Sequence, residues 1–535
     1  MAAASGMPGP ASHDDNESNG GAVRRRRAPG LQQEWIDAGS DSMTGHVLAL
    51  EGGRVIDPLS GLEDVRTVIV ADGRISEVSP AARAGTSERV DVSGLVIAPG
   101  YIDLHSHGQT IASHRLQALD GVTTALDLEA GRSPVTAAYQ SAGAQGRPLN
   151  YGFSASWALA RMHVVAGIPA DGSLGTFLAN IGVAAWQQPA EARQLRSIRG
   201  RLEADLAAGA LGIGVLVGYA QGVDPREYTE LARLAAATGT STFTHARDLR
   251  EDTPDVRIDG ATEVIQAAAE TGARAHYCHI NSTSRRHIER VHAQVRHAVA
   301  AGAQVSTEAY PYGSGMTGIG AAFLDPEWLP RWGLTPSSIV YAPAGERVSG
   351  PERLAELRRT DPAGLAIVDF LDEASPSDAG FLLQALTFPD TIIASDAMPI
   401  TWPGQAPDGT AWPLPPGGIT HPRTAGTYAK AFRLLVRQTG QLGLPEFIRR
   451  ASTLPAQLLA GFAPAMRGKG RIQRGADADL VVFDPATVAD QATYAESTRP
   501  STGVRHLLVG GHFVVRDGEI VSDSLPGRPV LGATR

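Results

Sequence analysis

The 535-residue chain has a single cysteine, Cys278, and only two lysines, Lys430 and Lys469. A lone thiol cannot close an internal disulfide, so no bridge staples the fold and a reducing compartment, the cytoplasm, is the expected location. No run of about 18 apolar residues is present, which argues against a membrane span. Arg24, Arg25, Arg26 and Arg27 are followed by APGLQQEW, where an export signal would carry an apolar stretch. Positive charge is scarce as well: 47 Lys and Arg against 56 Asp and Glu leave a net charge of −9. The basic field that neutralises a phosphate backbone is therefore missing, and nucleic acid is not an expected partner. No GxSxG elbow occurs, which removes the usual serine-hydrolase nucleophile. The expected partner is a small-molecule substrate, and a homo-oligomer is compatible with the same composition.

What is present suits a loop-rich α/β protein: 43% hydrophobic and 19% charged residues with 60 Gly and 35 Pro. Residues 1–42 lack any apolar period and read as a disordered leader, with Met43 as an alternative start. From His46, short β-branched runs with Gly-rich turns (HVLALEGGRVID, VRTVIVADGRISEV) read as hairpins, and the same texture returns in DLVVFDP, VRHLLVGGHFVV and RDGEIVS. Residues 43–95 and 463–535 are therefore expected to build one small β-sandwich domain. Between them, at 96–462, eight apolar segments alternate with helix-length stretches: VIAPGYIDLH, VTTALDLE, NYGFSAS, LGIGVLV, TSTFTH, ARAHYCH, AQVSTEAY and TIIASD. Eight such units are what a (β/α)8 barrel requires. The interval 318–390, with Trp328 and Trp332, is too long for one crossover and reads as an insertion or lid.

Catalytic groups of such barrels sit at the C-terminal ends of the strands. His105 and His107 end the first strand at i and i+2, and so share one face. His245 closes the fifth strand, His279 the sixth and Asp396 the eighth. Four imidazoles and a carboxylate converging there match the N and O ligands that zinc and similar divalent ions prefer. Cys278 falls on the opposite strand face from His279 and reads as a packed thiol.

Several motifs give the chain a specific likeness: APGYIDLHSH at the first strand, GVTT, GALGIGVLVGY, THARD, EAYPY, SDAMP followed by THPRTAGTY, and GRIQRGADADLVVFDP. Over about 46–525 the sequence resembles the amidohydrolase superfamily and, within it, the N-acyl-D-amino-acid deacylases (D-aminoacylases). The resemblance implies that His105, His107 and Asp396 hold one metal position and His245 and His279 its neighbour, with one or two divalent ions such as zinc. A shared ligand is also implied. Many relatives use a carboxylated lysine of the fourth strand, which this composition excludes. D-aminoacylases typically use a cysteine at the end of the second strand, where TTALDLEAG has none. Glu129 is the expected bridge, with Asp127 in competition.

The chemistry that follows is amide hydrolysis. A divalent ion lowers the pKa of its water to about 7 and polarises the carbonyl, while Asp396 takes the proton and returns it to the leaving amine as general base and then acid. By resemblance, Tyr219, Tyr310, Tyr312 and Arg423 face the substrate, the arginine clasping a carboxylate through its fork. Where relatives carry a lysine two residues after the sixth-strand histidine, this chain has the neutral Asn281, so Arg285 or Arg286 substitutes or the substrate differs. An acidic substrate such as N-acyl-D-glutamate, read by arginines, is the expected version. A cyclic amide or imide hydrolase of the dihydroorotase or hydantoinase type, and a non-catalytic scaffold, are the competing readings.

Overall fold

The alternating runs after His46 form a meander: β1 (Val47–Asp57), β2 (Leu62–Ala71) and β3 (Arg74–Ser79) pair antiparallel. Asp72 and Gly73 turn β2 into β3 with φ of 51° and 73°, the left-handed pair that a tight hairpin needs. β4 (Glu88–Asp91) and β5 (Val96–Pro99) pair parallel with successive halves of β1, on either side of a bulge between Leu50 and Gly53. The computed structural model describes residues 46–81, 86–404 and 408–533. The expected leader, its arginine cluster and Met43 lie outside them.

The chain then enters the barrel through β6 (Tyr101–Asp103), β7 (Val122–Arg132), β8 (Asn150–Ser156), β9 (Ile213–Val215), β10 (Ser241–Thr244), β11 (Arg274–Tyr277) and β12 (Val305–Ala309), each parallel to the one before. Every residue of β7 is buried, as a parallel strand covered on both faces should be. Helices pack outside. Pro225–Thr238 starts at an Asp224 cap and stops at left-handed Gly239, and Gly260–Thr271 starts at Asp259 and stops at Gly272.

After β12 the chain leaves the barrel. β13 (Ser314–Gly318), β14 (Ile339–Tyr341), β15 (Glu346–Arg347) and β16 (Leu365–Asp369) form a separate antiparallel sheet in the order β13-β16-β14-β15. This sheet opens at Ser314, ahead of the 318 boundary expected for the insertion, and the helix Pro376–Thr387 at the end of that interval packs on β12. The last barrel strand is β17 (Ile392–Ile393), parallel to β12. The eight apolar segments marked in the sequence are thus the eight strands of one parallel sheet. The ends of that sheet meet where Ser106 bridges Ala397: His107 N–H donates to the Ala397 carbonyl at 2.7 Å.

β18 (Leu480–Phe483), β19 (Val504–Val509), β20 (His512–Arg516) and β21 (Glu519–Ile520) return to the first sheet, β18 pairing antiparallel with β5. The two ends of the chain therefore share one nine-stranded sheet around a core that includes Leu48, Val55, Val70, Ile97, Leu480 and Leu508. Lys469, buried between Asp477 and Asp479, and Asn150, which donates to Asp479 at 2.9 Å, tie this sheet to β8 of the barrel. Among the described residues, no helix is long and apolar enough to cross a membrane.

Candidate metal centre and the cavity beside it

His105 and His107 follow β6 directly, and their Nε2 atoms lie 3.1 Å apart. Asp396 Oδ1 completes this triad at 3.4 Å from His105 Nε2 and 3.6 Å from His107 Nε2. A tetrahedral ion with bonds of about 2.0–2.1 Å holds its ligands about 3.3 Å apart, so the triad fits such an ion by spacing as well as by donor type. Glu129, near the end of β7, directs Oε2 to His105 Nε2 (3.1 Å) and His107 Nε2 (3.6 Å). Its Oε1 lies 2.6 Å from His279 Nε2 and 3.2 Å from His245 Nδ1. Asp396 and His279 both adopt left-handed backbone, φ 52° and 30°, just beyond their strands. This conformation is costly for a side-chain-bearing residue. In both cases it accompanies a side chain aimed at the centre.

Electrostatics show the same demand for positive charge. Burial pushes the His107 imidazole down, but Asp127 and Glu129 outweigh it and raise its pKa to about 9. His105 is likewise pulled down by burial and raised well above its ordinary value by Glu129, Asp396 and Glu308. Burial pushes Glu129 up, yet His105 and His279 hold it well below the carboxylate range. The raised His105 and His107 mark a cluster whose carboxylates call for positive charge, which a divalent cation would supply.

Three further groups fix the imidazoles from behind: Asp127, expected as the competing bridge, and Glu308 and Ser282, absent from the sequence-based set. Glu308 at the end of β12 receives His105 Nδ1 at 2.5 Å and His276 Nε2 at 2.9 Å. Asp127 Oδ1 lies 3.0 Å from His107 Nδ1, and its second oxygen pairs with Arg132. Ser282 Oγ lies 2.9 Å from His279 Nδ1. Engaging Nδ1 leaves Nε2 of each ring to face the centre, the usual role of outer partners around a metal. Asp127 and Glu129, two residues apart on β7, share its inner face; the former takes the outer position and the latter the central one. Strand alternation was the available signal for Asp127 and, within EAYPY, for Glu308. His276 carried none.

The cavity opens beside His107, Glu129, His245, His279 and Asp396. Of the residues expected at the substrate, Tyr219, Tyr310 and Arg285 line it, whereas Asn281, Tyr312 and Arg423 do not. Asn281 is instead a clamp on the YPY loop: its side chain donates to the Tyr312 carbonyl (3.4 Å) and accepts from Tyr310 N–H (3.3 Å). Tyr312 faces a separate cleft, with Lys430 Nζ 3.7 Å over its ring. Arg423 lies behind Asp396, donating from NH2 to Oδ2 at 3.0 Å and from Nε to the backbone carbonyl at 2.6 Å. Arg286 turns away to pair with Asp378, while Arg285 pairs with Asp252. Cys278 is buried, and burial above all raises its thiol well out of the nucleophilic range.

Comparison with known proteins adds a scale to this geometry. A family description, the amidohydrolase family, matches residues 88–515. An N-acyl-D-glutamate deacylase of Alcaligenes xylosoxydans xylosoxydans is 27% identical over 494 residues, covering 87% of this chain and 92% of its own. A D-aminoacylase of the same organism is 28% identical over 486 residues, covering 87% and 93%. The crystal structure of an N-acyl-D-glutamate deacylase from Bordetella bronchiseptica, complexed with zinc and a phosphonate mimic of the tetrahedral intermediate, superimposes with a TM-score of 0.70 at 22% identity, covering 91% of this chain and 99% of that one.

Proposed function

We propose that this chain, which belongs to the amidohydrolase family, hydrolyses the amide bond of N-acyl-D-amino acids to a carboxylate and the free D-amino acid, with zinc as the divalent ion. The observation that carries the reading is the division of Glu129, one oxygen toward His105 and His107 and the other toward His245 and His279. The likeness to D-amino-acid deacylases over 87% of the chain supports the substrate class. In this reading His105, His107 and Asp396 hold one ion, His245 and His279 a second, and Glu129 joins them.

The ion would polarise the scissile carbonyl and bring the attacking water's pKa near neutrality. Asp396 takes the proton from that water and passes it to the departing amine. Its Oδ2 is fixed by Arg423 and its Oδ1 faces the histidines, so the carboxylate is oriented before substrate arrives. Tyr310 lines the cavity wall. Hydrolysis by way of a covalent thioester finds no support, because Cys278 is held as a buried thiol. The absence of lysine from every barrel strand weighs against the cyclic-amide alternative. A cytoplasmic location belongs to the same reading, supported by that single cysteine.

The test is elemental analysis of the purified protein together with amine release from N-acetyl-D-amino acids, their L-enantiomers and dihydroorotate. Bound zinc with D-selective release, lost in Asp396→Asn, is the expected result. Ring opening of dihydroorotate without release from linear amides would replace the reading with the cyclic one.

A further inference from the structure

We propose that the cavity selects N-acyl-D-amino acids whose side chain is aromatic or large and apolar over those of D-glutamate or D-aspartate. The proposal rests on the deacylase reading above and deepens it.

The wall leading away from the ligand His245 is a run of rings. Phe177 meets Tyr219 edge-on at 5.5 Å, Tyr219 lies 5.1 Å from Phe323, and Phe323 stacks on Trp332 at 4.9 Å and 23°. Phe323 is also parallel to His245 itself, 6.5 Å away and 14° from coplanar. Met316 of β13 and Phe370 just after β16 add apolar surface from the inserted sheet. Aromatic walls gain most from flat or bulky apolar groups, both by burial and by edge and stacking contacts.

The charged residues in the same wall are already answered. Arg285 pairs with Asp252 and lies 4.4 Å over Trp332. Arg247, with no exposed side-chain surface, donates to Glu263 at 2.8 Å and to the carbonyls of Ala220 and Gln221. Asp248 accepts from Thr253 (2.8 Å) and Trp328 (3.2 Å). A side-chain carboxylate entering here would be desolvated beside Asp248, with Arg285 already committed to Asp252 and Arg247 held by Glu263.

Two arginine nitrogens around the cavity are buried without partners, Arg247 NH2 in this wall and Arg423 NH1 behind Asp396. A Cβ built on Gly315 would lie 3.5 Å from Arg423 NH1 and 3.3 Å from Tyr310 Oη. Gly315 itself lines the cavity, and its missing Cβ leaves room beside that buried nitrogen.

With zinc-loaded enzyme, kcat/KM for N-acetyl-D-phenylalanine is expected to exceed that for N-acetyl-D-glutamate by at least about 10-fold, and Phe323→Ala to shrink the ratio mainly through the KM of the phenylalanine substrate. A ratio below one overturns the proposal. So does faster turnover of N-phenylacetyl-D-glutamate than of N-acetyl-D-phenylalanine, since the rings would then be reading the acyl group. If no linear amide is hydrolysed, the deacylase reading fails by itself. The wall is then judged by calorimetric binding of the same two N-acetyl amino acids, where tighter N-acetyl-D-phenylalanine supports it and equal or tighter N-acetyl-D-glutamate overturns it.

Discussion

Glu129 spans two histidine sets with one carboxylate, 2.6 Å from His279 Nε2 through Oε1 and 3.1 Å from His105 Nε2 through Oε2. Replacing it with glutamine keeps the shape but removes the charge and turns one oxygen into a donor that repels a cation. Glu129→Gln is expected to lower bound metal to at most one ion per chain and to abolish measurable turnover. Elemental analysis checks this, and an unchanged metal content would remove Glu129 from the ligand set.

Asp396 has a divided duty of its own, with Oδ1 facing the histidines and Oδ2 held by Arg423. Asp396→Asn can still offer an oxygen to an ion but cannot take a proton. The expected outcome is a kcat lowered by about 10²–10⁴, the usual worth of a positioned general base, with KM changed far less. Steady-state kinetics on metal-loaded protein decides it; a variant that keeps wild-type kcat would assign the proton transfer elsewhere.

The outer partners should show in affinity before they show in rate. Asp127→Asn weakens the acceptor of His107 Nδ1, and Glu308→Gln does so for His105. Each is expected to weaken metal binding by about 10–100-fold, read as the chelator concentration that strips half the metal. Equal chelator resistance in wild type and both variants would make these contacts structural only.

The eight strands and the convergence of His105, His107, His245, His279 and Asp396 were legible because both follow from period and position. Parallel strands read as short apolar runs, and strand ends are where barrels place chemistry. The residues whose place differs from expectation, Asn281, Tyr312 and Arg423, lie beyond the strands. Asn281 follows His279 in a short helix, Ile280–Ser284, entered at the positive φ of His279, so counting positions from the sixth strand did not tell that Asn281 would clamp the YPY loop while Arg285 lines the cavity. Tyr310 and Tyr312 show the same limit from the other side: two residues apart beyond β12, they face different clefts because the chain has already left the strand and its alternation. Nor does any local pattern reveal that Phe323 and Trp332, from the inserted segment, meet Tyr219 and Arg285 of the barrel.

Away from the centre, His292 offers a test of stability against pH. Its ring stacks on Phe388 at 3.8 Å, and burial, reinforced by Arg296, lowers its pKa from 6.5 to about 4. The unfolded chain therefore binds the extra proton between those values and the folded chain does not. The contribution is full above about pH 6.5 and disappears as pH falls toward 4, amounting to at most about 3 kcal/mol. Chemical denaturation at pH 7.5 and 5 should show a smaller loss for His292→Leu than for wild type, while identical slopes would mean that the ring titrates normally.

The junction of the nine-stranded sheet with the barrel rests on a buried charge cluster. Burial pulls Lys469 down, but Asp479 and Asp477 more than restore its charge, and Asp479 also receives Asn150 Nδ2 at 2.9 Å and Gly510 N–H at 2.7 Å. Removing the lysine alone strands two carboxylates, one of them fully enclosed, so Lys469→Met is expected to cost about 3–5 kcal/mol. Removing both charges differs in kind: in the Lys469→Met, Asp479→Asn double variant the amide can still accept from Gly510, and no uncompensated charge remains at that position. Part of the loss should therefore return. Urea unfolding of the four members of this cycle measures the coupling; a double variant no more stable than Lys469→Met would show that Asp479 holds the junction through its neutral hydrogen bonds and not through the ion pair.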